Sequence, residues 1–297
     1  MRDTVAVKSS QQIPLIFEVD VLVVGGGLAG LAAACDIADA GREVAVIEAE
    51  IFLGYEIGAW QRAWVTWRSA DGALLREWFP LGDEGEAAND GDCIPLHMDR
   101  TKLRFEDRLL ARGVKLLYGS RPVGFRREGD RWLVIFGNKS GRQAVACQYM
   151  IDATETGVMA YLAGQGAAPT GAIVRRTVEF TGVPRRGVEH LSVPASLGVA
   201  GDAVTVYPGG FSDSHVYVDI PVSLERSAPR SLASDTEVEL SARAKSFEVA
   251  EYLVHTAPGF AKAKIGLGSL GVMRGESFDP TAALKEGKDL ARALLGS

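Results

Sequence analysis

The stretch "SHVYVDI", Ser214 to Ile220, alternates His215, Tyr217 and Asp219 with Val216, Val218 and Ile220. If this is a strand, successive side chains point to opposite faces, so the three polar groups share one face and the three aliphatic ones the other. An imidazole that titrates near neutrality, with a phenol two positions on, suits general acid and base work, which makes His215 and Tyr217 the acid/base candidates. The alternation leaves open whether their face meets a pocket or solvent. Arg274 offers a planar guanidinium suited to a substrate carboxylate or a developing anion, and equally to a surface ion pair. Cys93 and His97 have the types of a thiolate and its base, but nothing fixes their mutual geometry, and they read as ordinary loop residues. Cys35 in an Ala-rich run reads as core packing. His190 and His255 have no recognisable partners.

A second chemistry lies upstream. Gly25, Gly27 and Gly30 stand at G-x-G-x-x-G spacing. In such a turn the first glycine permits the tight bend, the second lets the backbone approach a pyrophosphate, and the third lets helix and strand pack closely. The phosphates then lie at a helix N-terminus, where free N–H groups and the dipole favour negative charge. Glu48 follows 18 residues after Gly30. A carboxylate there accepts hydrogen bonds from an adenosine ribose and repels a 2′-phosphate, which favours FAD or NAD over NADP.

The elements needed to hold these groups are present. Val19 to Val24 is an almost unbroken apolar run, as in a parallel strand covered on both faces. Leu28 to Ala40 is Ala- and Leu-rich and stops at Gly41, a helix with a glycine cap. "REVAVIE" is a second strand that closes a βαβ unit ending on Glu48. Ile51 to Leu96 is less regular and carries Trp60, Trp64, Trp67 and Trp78, which suit either a roof over a flat ligand or the burial of an irregular segment. Asp99 to Gly113 has helical spacing and a glycine stop. "VKLLYG", "RPVGFRRE", "RWLVIFG" and "QAVACQYMIDAT" are successive strands, mostly antiparallel, that return to a buried one. Further on, "RRTVEF", "AVTVYP" and "SHVYVDI" are strands, and Thr236 to Thr256 is a helix.

Composition bounds the class. At 297 residues, 47% hydrophobic and 24% charged, the chain can bury a large core, and its net charge of −6 presents no broad basic surface for nucleic acid. Three cysteines without CxxC spacing give neither a disulfide framework nor a metal site, and suit reduced thiols in the cytoplasm. No signal peptide and no apolar run of membrane-spanning length is seen. A small molecule is the expected partner.

The order "DVLVVGGGLAGLAAA", "FLG", "GVKLLYGSRPVGF", "NKSGRQAVACQYMIDAT", "AYLAG" and "AEYLVHTAPGF" resembles the FAD-dependent oxidoreductase family with the glutathione-reductase type of flavin-binding fold. The pairing of "NKSGR" with "IDAT" is its most selective part. The resemblance implies an α/β protein with a Rossmann-like FAD-binding domain, a parallel sheet with an antiparallel excursion, and a smaller α+β substrate subdomain. Residues 1–165 and 264–297 would form the first and 166–263 the second. It implies FAD as cofactor, with Gly25, Gly27 and Gly30 at the pyrophosphate, Glu48 at the ribose and Val123 beside the adenine. Gly54, Ala153 and Thr154 would pass close to the cofactor, and Gly275 and Glu276 would take the Gly-Asp positions of the final flavin-binding segment.

Two departures stand out. Glu155 replaces the glycine that follows "DAT" in the family, and the segment between "FDP" and the helix containing Ala283 to Leu294 is shortened. The expected activity is oxidation of a small organic metabolite by hydride transfer to the flavin. Oxygen insertion by a flavin monooxygenase uses the same fold. The sequence is also compatible with a nicotinamide-using enzyme resembling the thiazole synthases, or with a non-catalytic subunit whose flavin site is degenerate. It leaves open a homo-oligomer or a partner subunit.

Overall fold

The central strand β1 (Leu15–Val24) lies between two parallel neighbours, β2 (Val44–Ile47) and β8 (Gly141–Asp152), and β5 (Lys115–Leu117) extends the sheet beyond β2. β7 (Arg131–Asn138) and β6 (Arg121–Glu128) continue it antiparallel, giving the order β5-β2-β1-β8-β7-β6. The computed structural model describes residues 12–82, 88–165, 172–184, 187–224, 232–275 and 277–296. Val21 to Val24 are buried on both faces, which explains the unbroken apolar run.

Helix α1 (Leu28–Asp39) crosses between β1 and β2, and Gly41 ends it with φ at 81°. The last helix, α7 (Pro280–Leu295), packs on α1 where a Cβ at Gly287 would lie only 2.1 Å from the Ala29 carbonyl oxygen, so the helices meet backbone to backbone. The tryptophan-bearing stretch contributes the single turn α2 (Tyr55–Gly58), α3 (Gly72–Trp78) and the two-stranded pair β3 (Trp64–Thr66) and β4 (Cys93–Pro95). Trp60, Trp64, Trp67 and Trp78 are all buried, and the last three hold this irregular segment in the first core. Helix α4 (Met98–Leu110) follows, and the short α5 (Val158–Leu162) succeeds β8.

A second, antiparallel sheet takes the order β10 (Glu189–Ser192), β11 (Ala203–Pro208), β12 (His215–Ser223), β9 (Ile173–Thr181), β13 (Lys264–Gly268). Strand β14 (Met273–Arg274) also pairs with β9. The long helix α6 (Leu232–Thr256), which starts four residues before the expected Thr236, covers one face. Val174, Val178, Val216, Val218, Ile220 and Val222 meet Ala242, Val249, Ala250 and Leu253 of the helix in one apolar cluster. Past the expected boundary at 264 the chain still belongs to this sheet, because β13 and β14 both pair with β9 before α7 packs on α1. Among the described residues no helix is long and apolar enough to cross a membrane.

Candidate functional site

Strands β1, β2 and β8 run parallel and end at one edge, which brings Gly25, Glu48 and Asp152 together. Gly25 takes φ of 102°, its N–H donates to the Ile47 carbonyl at 2.9 Å, and a Cβ there would lie 2.7 Å from the Ala153 oxygen. A Cβ at Gly30 would come within 2.1 Å of the Gly25 oxygen. Those two glycines are required by the turn itself. Gly27 differs: the three atoms nearest to a Cβ there all belong to the carboxylate of Glu56, the closest at 2.7 Å.

Glu48 is buried at the tip of β2, with Oε2 accepting from Gly26 N at 2.5 Å and Oε1 from Glu50 N at 2.8 Å. Burial pushes its carboxyl above the ordinary carboxylate range, and these backbone donors oppose the push. Its own carbonyl accepts from Ser120 N at 2.8 Å, which ties the approach to β6 against the site. Val123 lies in β6 beyond that tie, about half exposed.

Glu56 is the residue the glycine pattern did not reveal. Gly54, with φ of 72°, donates its N–H to the Gly26 carbonyl at 2.8 Å and starts the turn α2, which aims Glu56 at the first N–H of α1. Leu28 N donates to Glu56 Oε1 at 3.0 Å and to Oε2 at 3.2 Å. Glu56 is half-buried by surface area, although protein atoms crowd its carboxylate. Burial pushes its pKa up to about 7; the Leu28 N–H opposes this, and the charges of Glu48 and Glu155 add to it.

Ala153 continues the edge, its N–H donating to the Val24 carbonyl at 2.8 Å. Thr154 is engaged locally: its hydroxyl bonds Asp152 Oδ1 at 2.6 Å and accepts from Val158 N at 3.0 Å, while Asp152 Oδ2 accepts from Met159 N at 2.8 Å. Together they cap α5. Arg274 bridges the layers, 3.0 Å from Asp235 of α6 and 3.7 Å from Glu155. Glu155, at the position where a glycine was expected, thus meets a cation from the second sheet. Gly275 follows with φ of 98°, and Glu276 lies outside the described residues.

The polar face of β12 is not solvated. His215, Tyr217 and Asp219 are each buried and turned toward the first layer. His215 Nδ1 accepts from Phe211 N at 3.2 Å, which leaves the proton of a neutral ring on Nε2, 2.9 Å from Glu179 Oε1. This contact holds the Glu179 carboxyl below the usual range, with burial opposing. Nδ1 is thus hydrogen-bonded, whereas Nε2 faces the Glu179 carboxylate at ion-pair distance without an aligned hydrogen bond. Burial, with repulsion from Glu179 and Asp99, pushes the Tyr217 phenol well up, so it stays protonated at neutral pH. Asp219 pairs with Arg175 at 2.7 Å and with Arg62 at 3.4 Å. Tyr207 of β11 stacks on Trp64 of β3 with ring centres 4.0 Å apart, so aromatic packing closes the two layers here. Sequence reading missed Glu179, Arg175 and Arg62, because their approach to β12 is a matter of sheet pairing and layer contact.

Burial pushes Cys93 up to about 12 and Cys35 up to about 11, so neither is a thiolate at neutral pH. His97 caps α4. Among the described residues no group of His, Cys, Asp and Glu is arranged for a metal ion.

A glycine turn, a helix N-terminus that already accepts a carboxylate, and a buried acid at the end of β2 define a dinucleotide-binding α/β protein. Residues 20–179, more than half of the chain, match the FAD dependent oxidoreductase family, and the chain belongs to it. FAD is the cofactor of that family, and the donor set at α1 fits its anionic pyrophosphate. A probable zeta-carotene desaturase from Synechococcus elongatus is 52% identical over 40 residues, a stretch that is 14% of this chain and 8% of the desaturase. A geranylgeranyl bacteriochlorophyll reductase-like protein from Thermoplasma acidophilum superposes with a TM-score of 0.68 at 16% identity, over 93% of this chain and 77% of the other. The p-nitrophenol 4-monooxygenase of Pseudomonas putida does so with 0.61 at 13%, over 95% and 80%. An aklavinone-11 hydroxylase, solved with FAD and aklavinone, gives 0.61 at 17%, over 94% of this chain and 62% of its own. At such identities these three resemblances concern the fold.

Proposed function

We propose that the chain is an FAD-dependent oxidoreductase acting on a small organic metabolite, with a flavin-binding layer of the glutathione-reductase type and the second sheet, continued to Arg274, as its substrate cap. The observation that carries this reading is the meeting of Gly25, Gly27, Glu48 and the α1 N-terminus at one sheet edge. In it, Gly27 and Leu28 N face the pyrophosphate, Glu48 the ribose, and Ala153, Gly54 and Gly275 flank the cofactor. Bound FAD supplies the hydride acceptor. His215 and Tyr217 hold protons on the buried face that closes over the first layer, with Glu179 orienting the imidazole, and Arg274 screens Glu155 beside the cofactor path.

The monooxygenase reading of the same site is supported by the fold shared with the p-nitrophenol 4-monooxygenase and the aklavinone-11 hydroxylase. The unpaired cysteines, Cys35, Cys93 and Cys147, support a reducing, cytoplasmic setting. The test is the absorption spectrum of purified protein, before and after addition of FAD, followed by anaerobic mixing with candidate metabolites. A flavin spectrum that bleaches with a metabolite supports a dehydrogenase or oxidase. Bleaching only with a nicotinamide donor, and oxygen uptake coupled to hydroxylation, supports the monooxygenase. A protein that takes up no flavin overturns both.

A further inference from the structure

The N-terminus of α1 is one anion-binding place, and a side chain of this protein already holds it. Both oxygens of Glu56 lie within hydrogen-bond distance of Leu28 N, and the α-carbon of Gly27 faces the same carboxylate. The proposed dinucleotide site puts the FAD pyrophosphate at this N–H and against this glycine. Two anions cannot share one donor and one space. We propose that Glu56 is an internal competitor of the cofactor pyrophosphate, so that binding FAD requires its carboxyl group to take up a proton and release the helix terminus.

The surroundings favour that proton. From the end of β2 comes Glu48, and from the loop after β8 comes Glu155; both repel a charged Glu56 and would repel a pyrophosphate beside it. Leu28 of α1 brings only its N–H. The nearby cations are committed elsewhere, Arg274 to Asp235 and Glu155, and Arg62 to Asp219. Three carboxylates therefore surround the place intended for a dianion, and a proton on Glu56 removes one negative charge while weakening its hold on Leu28 N. The carboxyl titrates near neutrality, its pKa pushed up to about 7 by burial, so this proton is available at ordinary pH. Cofactor affinity is then linked to pH through a residue that belongs to no glycine motif.

This inference rests on the dinucleotide reading of the site, and the test separates the two. FAD and adenosine, which lacks the pyrophosphate, are titrated calorimetrically into the wild type, Glu56→Gln and Glu56→Ala, between about pH 6 and about pH 8.5. For the wild type, FAD affinity falls about tenfold from neutrality to the top of that range, and binding there takes up about one proton, read from two buffers of different ionisation heat. Glu56→Gln and Glu56→Ala bind FAD at least about tenfold more tightly at the alkaline end, with no proton uptake and a flat profile, as linkage to a single lost carboxylate requires. Adenosine binds with a flat profile throughout. Parallel pH profiles for wild type and both variants, or no proton uptake by the wild type, overturn the role of Glu56 while leaving the dinucleotide site intact. Failure of all three proteins to bind FAD or adenosine overturns the site reading itself. Circular dichroism establishes that each variant is folded; if neither is, the wild-type proton uptake decides alone.

Discussion

Arg62, on the segment leading into β3, reaches 3.4 Å from Asp219 in the middle strand of the second sheet, and both side chains are buried. Arg175 of the neighbouring strand holds the same carboxylate oxygen at 2.7 Å. One carboxylate therefore balances two guanidinium groups across the seam between the layers. Removing Asp219 takes away the carboxylate that both guanidinium groups face in a buried seam, and breaking such a buried arrangement from one side costs roughly 3 to 5 kcal/mol. Asp219→Ala is expected to lower the unfolding free energy read from urea titration by that amount, and Asp219→Asn by less. A loss below about 1 kcal/mol, the range of exposed ion pairs, would show that the seam is wet in solution.

The glycines of the turn separate by what a methyl group would meet. At Gly30 it would strike the Gly25 carbonyl oxygen at 2.1 Å, a backbone atom that cannot yield without opening the turn. At Gly27 its nearest neighbours are the end atoms of the Glu56 side chain, which can yield. Gly30→Ala is expected to unfold or to lose several kcal/mol, in the manner of overpacking. Gly27→Ala is expected to stay folded and to bind FAD more weakly. Full flavin occupancy in Gly27→Ala would move the pyrophosphate away from this turn.

His215 and Glu179 act as a unit if the buried face serves proton transfer. His215→Ala is expected to retain FAD and the fold while slowing flavin reduction by roughly 10² to 10⁴, the usual contribution of a positioned acid or base. Glu179→Gln keeps the shape but removes the charge that faces the ring, and is expected to slow reduction as well. Stopped-flow reduction reads both. A His215→Ala rate within about threefold of the parent assigns the pair to holding the Phe211 turn rather than to chemistry.

Glu56 also predicts a stability profile. Its folded pKa is raised to about 7 from the ordinary 4.5, so the folded protein binds the proton more tightly than the unfolded chain does. The stability it contributes is full below the unfolded value and is lost as pH rises through the folded one. Without FAD, Glu56→Gln is therefore expected to melt a few degrees above the wild type at about pH 8, with the difference shrinking steadily toward about pH 4.5. A melting difference that does not change with pH would remove Glu56 from the titrating groups.

Much of the first layer was legible in the residue order because its causes are local. The apolar run Val19 to Val24, the spacing of Gly25, Gly27 and Gly30, and the terminal position of Glu48 each express one strand, one turn or one helix start. The period of two in "SHVYVDI" likewise determined which side chains share a face. Periodicity states which residues stand together and says nothing of what they stand against. Only the pairing of β9 with β12 brought Glu179 to His215 and Arg175 to Asp219, and only the packing of the second sheet on Trp64 made that face an interior one. Residues 264–274 joined the second sheet for the same reason, since antiparallel pairing with β9 links positions about ninety apart in the chain. Glu56 is the sharpest case. Nothing in its neighbours' types marks it, and its place at the N-terminus of α1 depends on a left-handed Gly54, a four-residue turn and a hydrogen bond to Gly26, which come together only when the chain is folded.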